Sequence, residues 1–224
     1  MTGDHAESIA LLSELVEEER AHGIADSMAL RTREYLAEAL VEAGRAADAE
    51  PVLAAVVHEG TQSMGRRDSG LWVSEWIDSH ARALLAMRQA DASSACFLEA
   101  FQIRRDGLGS RNIETLCSQR GLAMARFAQG ETVAAIEMMR QVVAAAESLK
   151  RRGNDFYLAT HRSCLASMMI STGSLDEAER QLHLAIPVLE GAGGSKSARF
   201  QSAQQMLQSI ADLRAGIPAP QKDA

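Results

Sequence analysis

The chain has 224 residues and a formal net charge of −7, with 46% hydrophobic and only 4% aromatic side chains. So acidic a chain is poorly suited to neutralising many phosphates, which argues against nucleic acid as its main partner. Abundant Ala and Leu, few aromatics and four prolines argue against a β-sandwich and for close helix packing.

Cys96, Cys117 and Cys164 are odd in number and none has CxxC spacing. A disulfide framework is therefore not expected, and a reducing, cytoplasmic setting is. No apolar run approaches the roughly 20 residues that span a bilayer, so no membrane partner is expected. The opening MTGDHAESIALLSELVEEER is acidic and amphipathic, unlike a signal peptide.

In chain order, residues 5–21 read as a helix closed by Gly23. Its start, GDHAESIALL, is like the start of a second helix of a pair, as in GRAADAEPVL. Two readings stay open: an N-terminal cap helix, or a repeat cut from a longer protein. A first two-helix unit is expected over 26–60, with helices from about Ser27 to Ala43 and Ala47 to Glu59. Pro51 falls in the first turn of the second helix, where its missing N–H costs little. Further units are expected over 70–107, 112–148 and 155–190. GAGGSKS (191–197) reads as a flexible break. A last cap helix over 197–214 follows, then a disordered tail over 216–224. Residues 1–215 count as a single domain, because a two-helix unit cannot bury its apolar face alone.

The third unit shows the pattern best. Ile113, Leu116, Leu122, Ala123, Ala125 and Phe127 recur at helical spacing, as do Ala135, Ile136, Met139, Val142, Val143 and Ala146. Gly130 stands between them, where glycine takes the left-handed conformation at little cost. Ala49, Ser93, Ala135 and Ala178 hold equivalent places early in four second helices, at spacings of 44, 42 and 43 residues. Two helices at that period are a solenoid signature. The linkers repeat as well: SMGRRD aligns with GLGSRN, and KRRGND stands before the fourth unit. Asp26, Asp68, Asn112 and Asn154 or Asp155 precede first helices, where a short polar side chain can cap free amides. Arg88 stands where the turn glycine of the second unit is expected.

The strings DSMALRTREYLAEALVEAGRAADAEPVL, AFQIRRDGLGSRNIETL and LASMMISTGSLDEAERQL resemble tetratricopeptide repeats, in the long form of about 42 residues found in kinesin light chains. The resemblance covers about residues 5–190. It implies an all-α fold: a right-handed α-α superhelix, a solenoid of about four helix-turn-helix repeats with N- and C-terminal capping helices. It implies a concave groove lined by the inner face of each first helix. Those positions are Arg31, Glu34, Tyr35 and Glu38 in the first unit, and Asp78, Ser79 and Arg82 in the second. They continue with Arg120 and Met124 in the third and Thr160, Ser163 and Ser167 in the fourth. Grooves of the family that grip a C-terminal carboxylate use Lys, Arg and Asn. The mixed charges here fit a peptide with polar and apolar side chains instead.

Other features have two readings each. Trp72 and Trp76 share a helix face and either anchor a partner or pack between units. The pairs Arg66-Arg67, Arg104-Arg105 and Arg151-Arg152 form either an anion-binding edge or solubilising caps of helix C-termini. The EEER run at 17–20 is an acidic docking patch or a solvated face. His161 and Cys164 are three apart, but the cysteines read as apolar fillers, so no metal is expected. No phosphate loop, GxSxG elbow or HExxH is present, and the six histidines are scattered, so neither catalytic residues nor a cofactor are expected.

The function this implies is a non-catalytic scaffold that binds a protein or peptide segment in its groove. By resemblance, such repeats form the regulatory part of bacterial signalling proteins. A helical domain that senses a small molecule is the alternative. An open solenoid end could also pair two copies as a homodimer. The repeat register makes a direct prediction: Ala135→Arg or Ala178→Arg abolishes cooperative thermal unfolding, because these small residues let helices approach. An unchanged melting temperature in either variant would overturn the register.

Overall fold

The computed structural model describes residues 2–24, 26–63, 70–149 and 154–216. Among them all regular structure is helical. The helices are α1 (Thr2–Ala21), α2 (Ser27–Glu42), α3 (Ala46–Ser63), α4 (Gly70–Ala86) and α5 (Ala90–Leu108). They continue with α6 (Ile113–Ala128), α7 (Thr132–Glu147), α8 (Asn154–Ser171), α9 (Leu175–Gly193) and α10 (Ala198–Arg214). The fold is an all-α helical repeat, in which α2 and α3, α4 and α5, and α8 and α9 are sequential helices packed on one another. The proposed tail lies almost wholly outside the described residues, as do Asp68, Arg66-Arg67 and Arg151-Arg152.

Packing divides the chain into two compact units, Met1–Gln129 and Gly130–Ala224. In the first, each helix packs on the next, and α2, α4 and α6 also touch in turn. Alanine makes this possible: Ala37, Ala49 and Ala83 are fully buried with Leu40 and Leu53 in one core cluster. A second cluster joins Leu30, Val56, Val73, Trp76, Ile77 and Ala100. Trp76 is therefore core, whereas Trp72 on the same helix is 41% exposed. Helix α1 packs on α2, and no described side chain from His5 to Ala21 is fully buried. In the EEER run Glu19 accepts from Thr32 Oγ1 at 2.9 Å.

In the second unit α7 packs on α8, α8 on α9, and α10 on both α9 and α8. Ala135 and Ala178 are fully buried there, as are Met139, Met169 and Leu182. Arg214 ties α10 to α9 through Asp176 and Glu179, and Arg199 lies 5.2 Å over the Phe156 ring.

The helix ends follow local chemistry. Asp26 accepts from the amides of Met28 and Ala29, and Asn112 from that of Glu114. After α2 the amides of Gly44 and Arg45 bond back to Val41 and Leu40, with Gly44 at φ +78. After α4 the same pair of bonds runs from Arg88 and Gln89 to Leu85 and Leu84. Arg88 takes φ +61 there, the glycine conformation forced on a side-chain-bearing residue.

Four expectations need correction. Asn154 does not cap α8: it is buried, and its Nδ2 donates to the carbonyls of Ala146 and Leu149, closing the end of α7. Pro51 lies one residue deeper in its helix than expected, because α3 begins at Ala46. The break after α9 is shorter, since the helix runs through Gly193 and Ser197 caps α10. Arg104 is no part of a solvated ladder: it is buried, while Arg105 beside it pairs with Asp106 in the open.

Two glycines set how close the helices come. A Cβ on Gly60 of α3 would lie 2.0 Å from Trp76 Cζ3, and one on Gly121 of α6 would lie 2.2 Å from Phe97 Cε1. Each aromatic ring lies against bare backbone. Gly60→Ala should destabilise the protein by about 1–3 kcal/mol in chemical denaturation, since the fully buried indole has no room to shift. Pairing it with Trp76→Leu should recover part of that loss; no recovery would show the clash is not with the indole.

Candidate partner-binding site

The first helices of the first unit place three stripes side by side. On α2, Met28, Arg31, Tyr35 and Glu38 recur at three- and four-residue steps, and on α4 Trp72, Glu75, Ser79 and Arg82 do the same. On α6 the stripe includes Arg120 and Met124. At one end Arg31 is held flat: its Nε donates to Tyr35 Oη at 2.6 Å, and its guanidinium lies 4.7 Å over the Trp72 ring. Tyr35 is 43% exposed and Trp72 41%, so two aromatic faces and a stacked cation are open to a partner.

Beneath this face runs a polar network. Ser79 Oγ lies 2.9 Å from Glu34 Oε1 and 3.1 Å from Glu38 Oε1. Arg82 donates to both Glu38 and Ser79. Asp78 accepts from Ser118 Oγ at 2.8 Å and from Arg104 at 3.3 Å. Arg104 also donates to Ser74, to Ser118 and to the Glu114 carbonyl. The network thus crosses from α2 through α4 to α5 and α6. Removing one partner of such a buried ion pair strands the other, at a cost of about 3–5 kcal/mol.

The expected groove residues therefore have different placements. Arg31, Tyr35, Glu38 and Arg82 stand on the face. Glu34 and Asp78 do not: they are only 2% and 9% exposed, turned into the α2–α4 and α4–α6 contacts. Arg120 is half-buried and Met124 borders on exposed. Thr160, Ser163 and Ser167 belong to α8 of the second unit; Thr160 bonds back to the Phe156 carbonyl, Ser163 is half-buried and Ser167 is exposed. Sequence reasoning missed Ser74, Glu75 and Ser118, and read Arg104 only as half of a surface arginine pair. A signal for Arg104 existed, since it follows Ser93, Phe97 and Ala100 in the buried phase of α5.

The cysteines are half-buried free thiols, and burial pushes that of Cys117 up to about 11. Burial raises Cys96 as well. Such thiols are poor nucleophiles. Among the described residues no group of three His, Cys, Asp or Glu side chains could hold a metal, and no helix is long and apolar enough to cross a membrane.

Burial pushes Glu34 up to about 7; the Ser79 hydrogen bond opposes this, Glu75 and Glu38 add to it, and Arg82 counters. The unfolded chain then ionises near 4.5 and the folded chain near 7. Between those values the folded state holds more protons, so stability falls as pH rises and levels off above about 7. Denaturation at pH 5 and pH 8 should differ by about 2–3 kcal/mol from this group, with the protein weaker at pH 8. Glu34→Gln should remove that part of the slope. A slope unchanged in the variant would show that Glu34 ionises normally.

Comparison with known proteins bears on what these helices are. Residues 74–148 match the tetratricopeptide repeat family. No curated protein sequence matches the chain. Among solved structures, BtubC (BKLC) from P. vanneervenii superposes with a TM-score of 0.64 at 16% identity, covering 98% of this chain and 96% of that one. A putative kinesin light chain of Podosopora anserina with nearly identical TPR-like repeats gives 0.61 at 24% identity, covering 87% and 90%. The apo form of RapI gives 0.60 at 14% identity, with 95% of this chain on 58% of that one. Residues 74–148 thus match tetratricopeptide repeats, and the chain shares the all-α helical-repeat fold of these proteins.

Proposed function

We propose that this chain is a non-catalytic protein-interaction module that holds a peptide or protein segment against the first-helix face of α2, α4 and α6. The observation that carries this is the exposed stack of Arg31 on Trp72 and Tyr35. Trp, Tyr and Arg are the residues that dominate interface energetics, and here all three are ordered in advance. Glu38, Arg82 and Met124 extend the same face with polar and apolar contacts. A regulatory role in a bacterial signalling protein, inside the cytoplasm, belongs to the same proposal.

The reading as a sensor of small molecules requires an enclosed apolar pocket with a few polar groups. Several clefts are formed by described residues. One is lined by Asp176, Glu177, Arg180 and Arg214, another by Glu19, Arg20, Arg33 and Glu59 beside Val16 and Ile24.

The test is affinity capture from a lysate of the source organism, wild type against Arg31→Ala/Arg120→Ala, read by mass spectrometry. The variant should keep its helical content and melt within a few degrees of wild type. It should bind the captured partner at least tenfold more weakly, with a reduced salt dependence. Equal retention by both proteins would overturn the face assignment, and a metabolite that raises the melting temperature would favour the sensor.

A further inference from the structure

On the face between α2 and α4, Glu34 makes no ion pair among the described residues, although the charges of Arg82 and Arg31 act on it from a distance. Glu38 is paired with Arg82, and Asp78 with Arg82 and Arg104. Glu34 has only the Ser79 hydroxyl, whose single proton is also within reach of Glu38. Its Oε2 is buried and has no hydrogen-bond partner among the described residues. Arg31, one turn earlier, bonds Tyr35 and stacks on Trp72, and reaches Glu34 and Glu75 only through its charge. Glu75, half-buried on α4, lies near enough for its charge to act on Glu34 and makes no ion pair among the described residues. Glu34 and Glu38 thus share the Ser79 hydroxyl, Glu75 stands near Glu34, and Arg82 is paired with Glu38. A proton or a cation from outside can complete the set.

We propose that this face takes a basic side chain of the bound segment, a lysine ammonium or an arginine guanidinium seated between Glu38 and Glu75 and over Glu34. The inference rests on the reading of this face as a peptide site and names what the peptide must carry. Burying a carboxylate without a counter-charge is costly, and a ligand cation offsets that cost only in the complex. The net charge of −7 steers basic segments towards the protein. The cation must displace the proton that Glu34 otherwise retains, so binding and proton release are linked.

The test uses a phage-displayed library of random 12-residue peptides, selected on the wild type. Enriched sequences should share Lys or Arg at one position. The best such peptide should bind Glu34→Gln/Glu75→Gln at least tenfold more weakly, and replacing its basic residue by norleucine should lose a similar factor. Its affinity for wild type should rise several-fold from pH 5.5 to 7.5, by calorimetry. Glu75→Gln alone, which leaves the buried position intact, guards against a folding effect. Peptides that Arg31→Ala/Arg120→Ala loses, but that share no basic position, would overturn this inference and leave the peptide site standing. Peptides that bind both double variants as well as wild type, or no enrichment at all, would overturn the peptide site and this inference with it.

Discussion

Close approach of helix backbones is the constraint on which the rest depends. The helices pack through alanine and glycine: Ala37 and Ala49 between α2 and α3, Ala83 against them, Gly60 under Trp76 and Gly121 against Phe97. Small residues at these points let few and scattered large side chains fill the remaining space. A chain with 4% aromatics can therefore still bury the Trp76 and Phe97 rings almost completely. Exposed Trp72 and Tyr35 are the surplus, since the core has no place for them.

Close packing also explains why charge is found inside. When α2, α4 and α6 lie side by side, the flanks of each first helix are covered by the next. Polar groups on those flanks must find partners across the contact. Ser74, Asp78, Arg104 and Ser118 satisfy one another. Glu34 keeps one carboxylate oxygen without a hydrogen-bond partner among the described residues, and it is next in sequence to exposed Tyr35. Native proteins keep incompletely satisfied groups chiefly where they function. Incomplete satisfaction and an ordered cation–aromatic stack on one face together single out that face.

The interhelix turns illustrate how far a local rule reaches. Gly23, Gly44 and Gly173 close their helices with the same pair of backbone bonds and a positive φ. Arg88 obeys that geometry without the residue type that makes it easy, so the repeat dictates the backbone and the side chain complies. Asn154 shows the opposite case. It stands where a cap for the following helix is expected, yet it serves the preceding one, because the carbonyls at the end of α7 come within reach only once α8 folds back.

By itself the sequence determined the helical class, the period near 43 residues, the pairing of helices and most of their ends, because these depend on the phase of apolar residues within one helix and on turn chemistry within a few residues. The helical spacing of Arg31, Tyr35 and Glu38 could also be read from it. It did not separate Trp72 from Trp76, or Arg104 from Arg105, or reveal that Glu34 and Asp78 are buried. Glu34 falls in phase with Leu30 and Ala37, and Arg104 with Phe97 and Ala100, yet charged types read as solvent-facing. Phase shows which way a side chain points from its own helix. Whether a flank is covered depends on a neighbour some 40 residues away, and only the tertiary packing of α2, α4, α5 and α6 decided that.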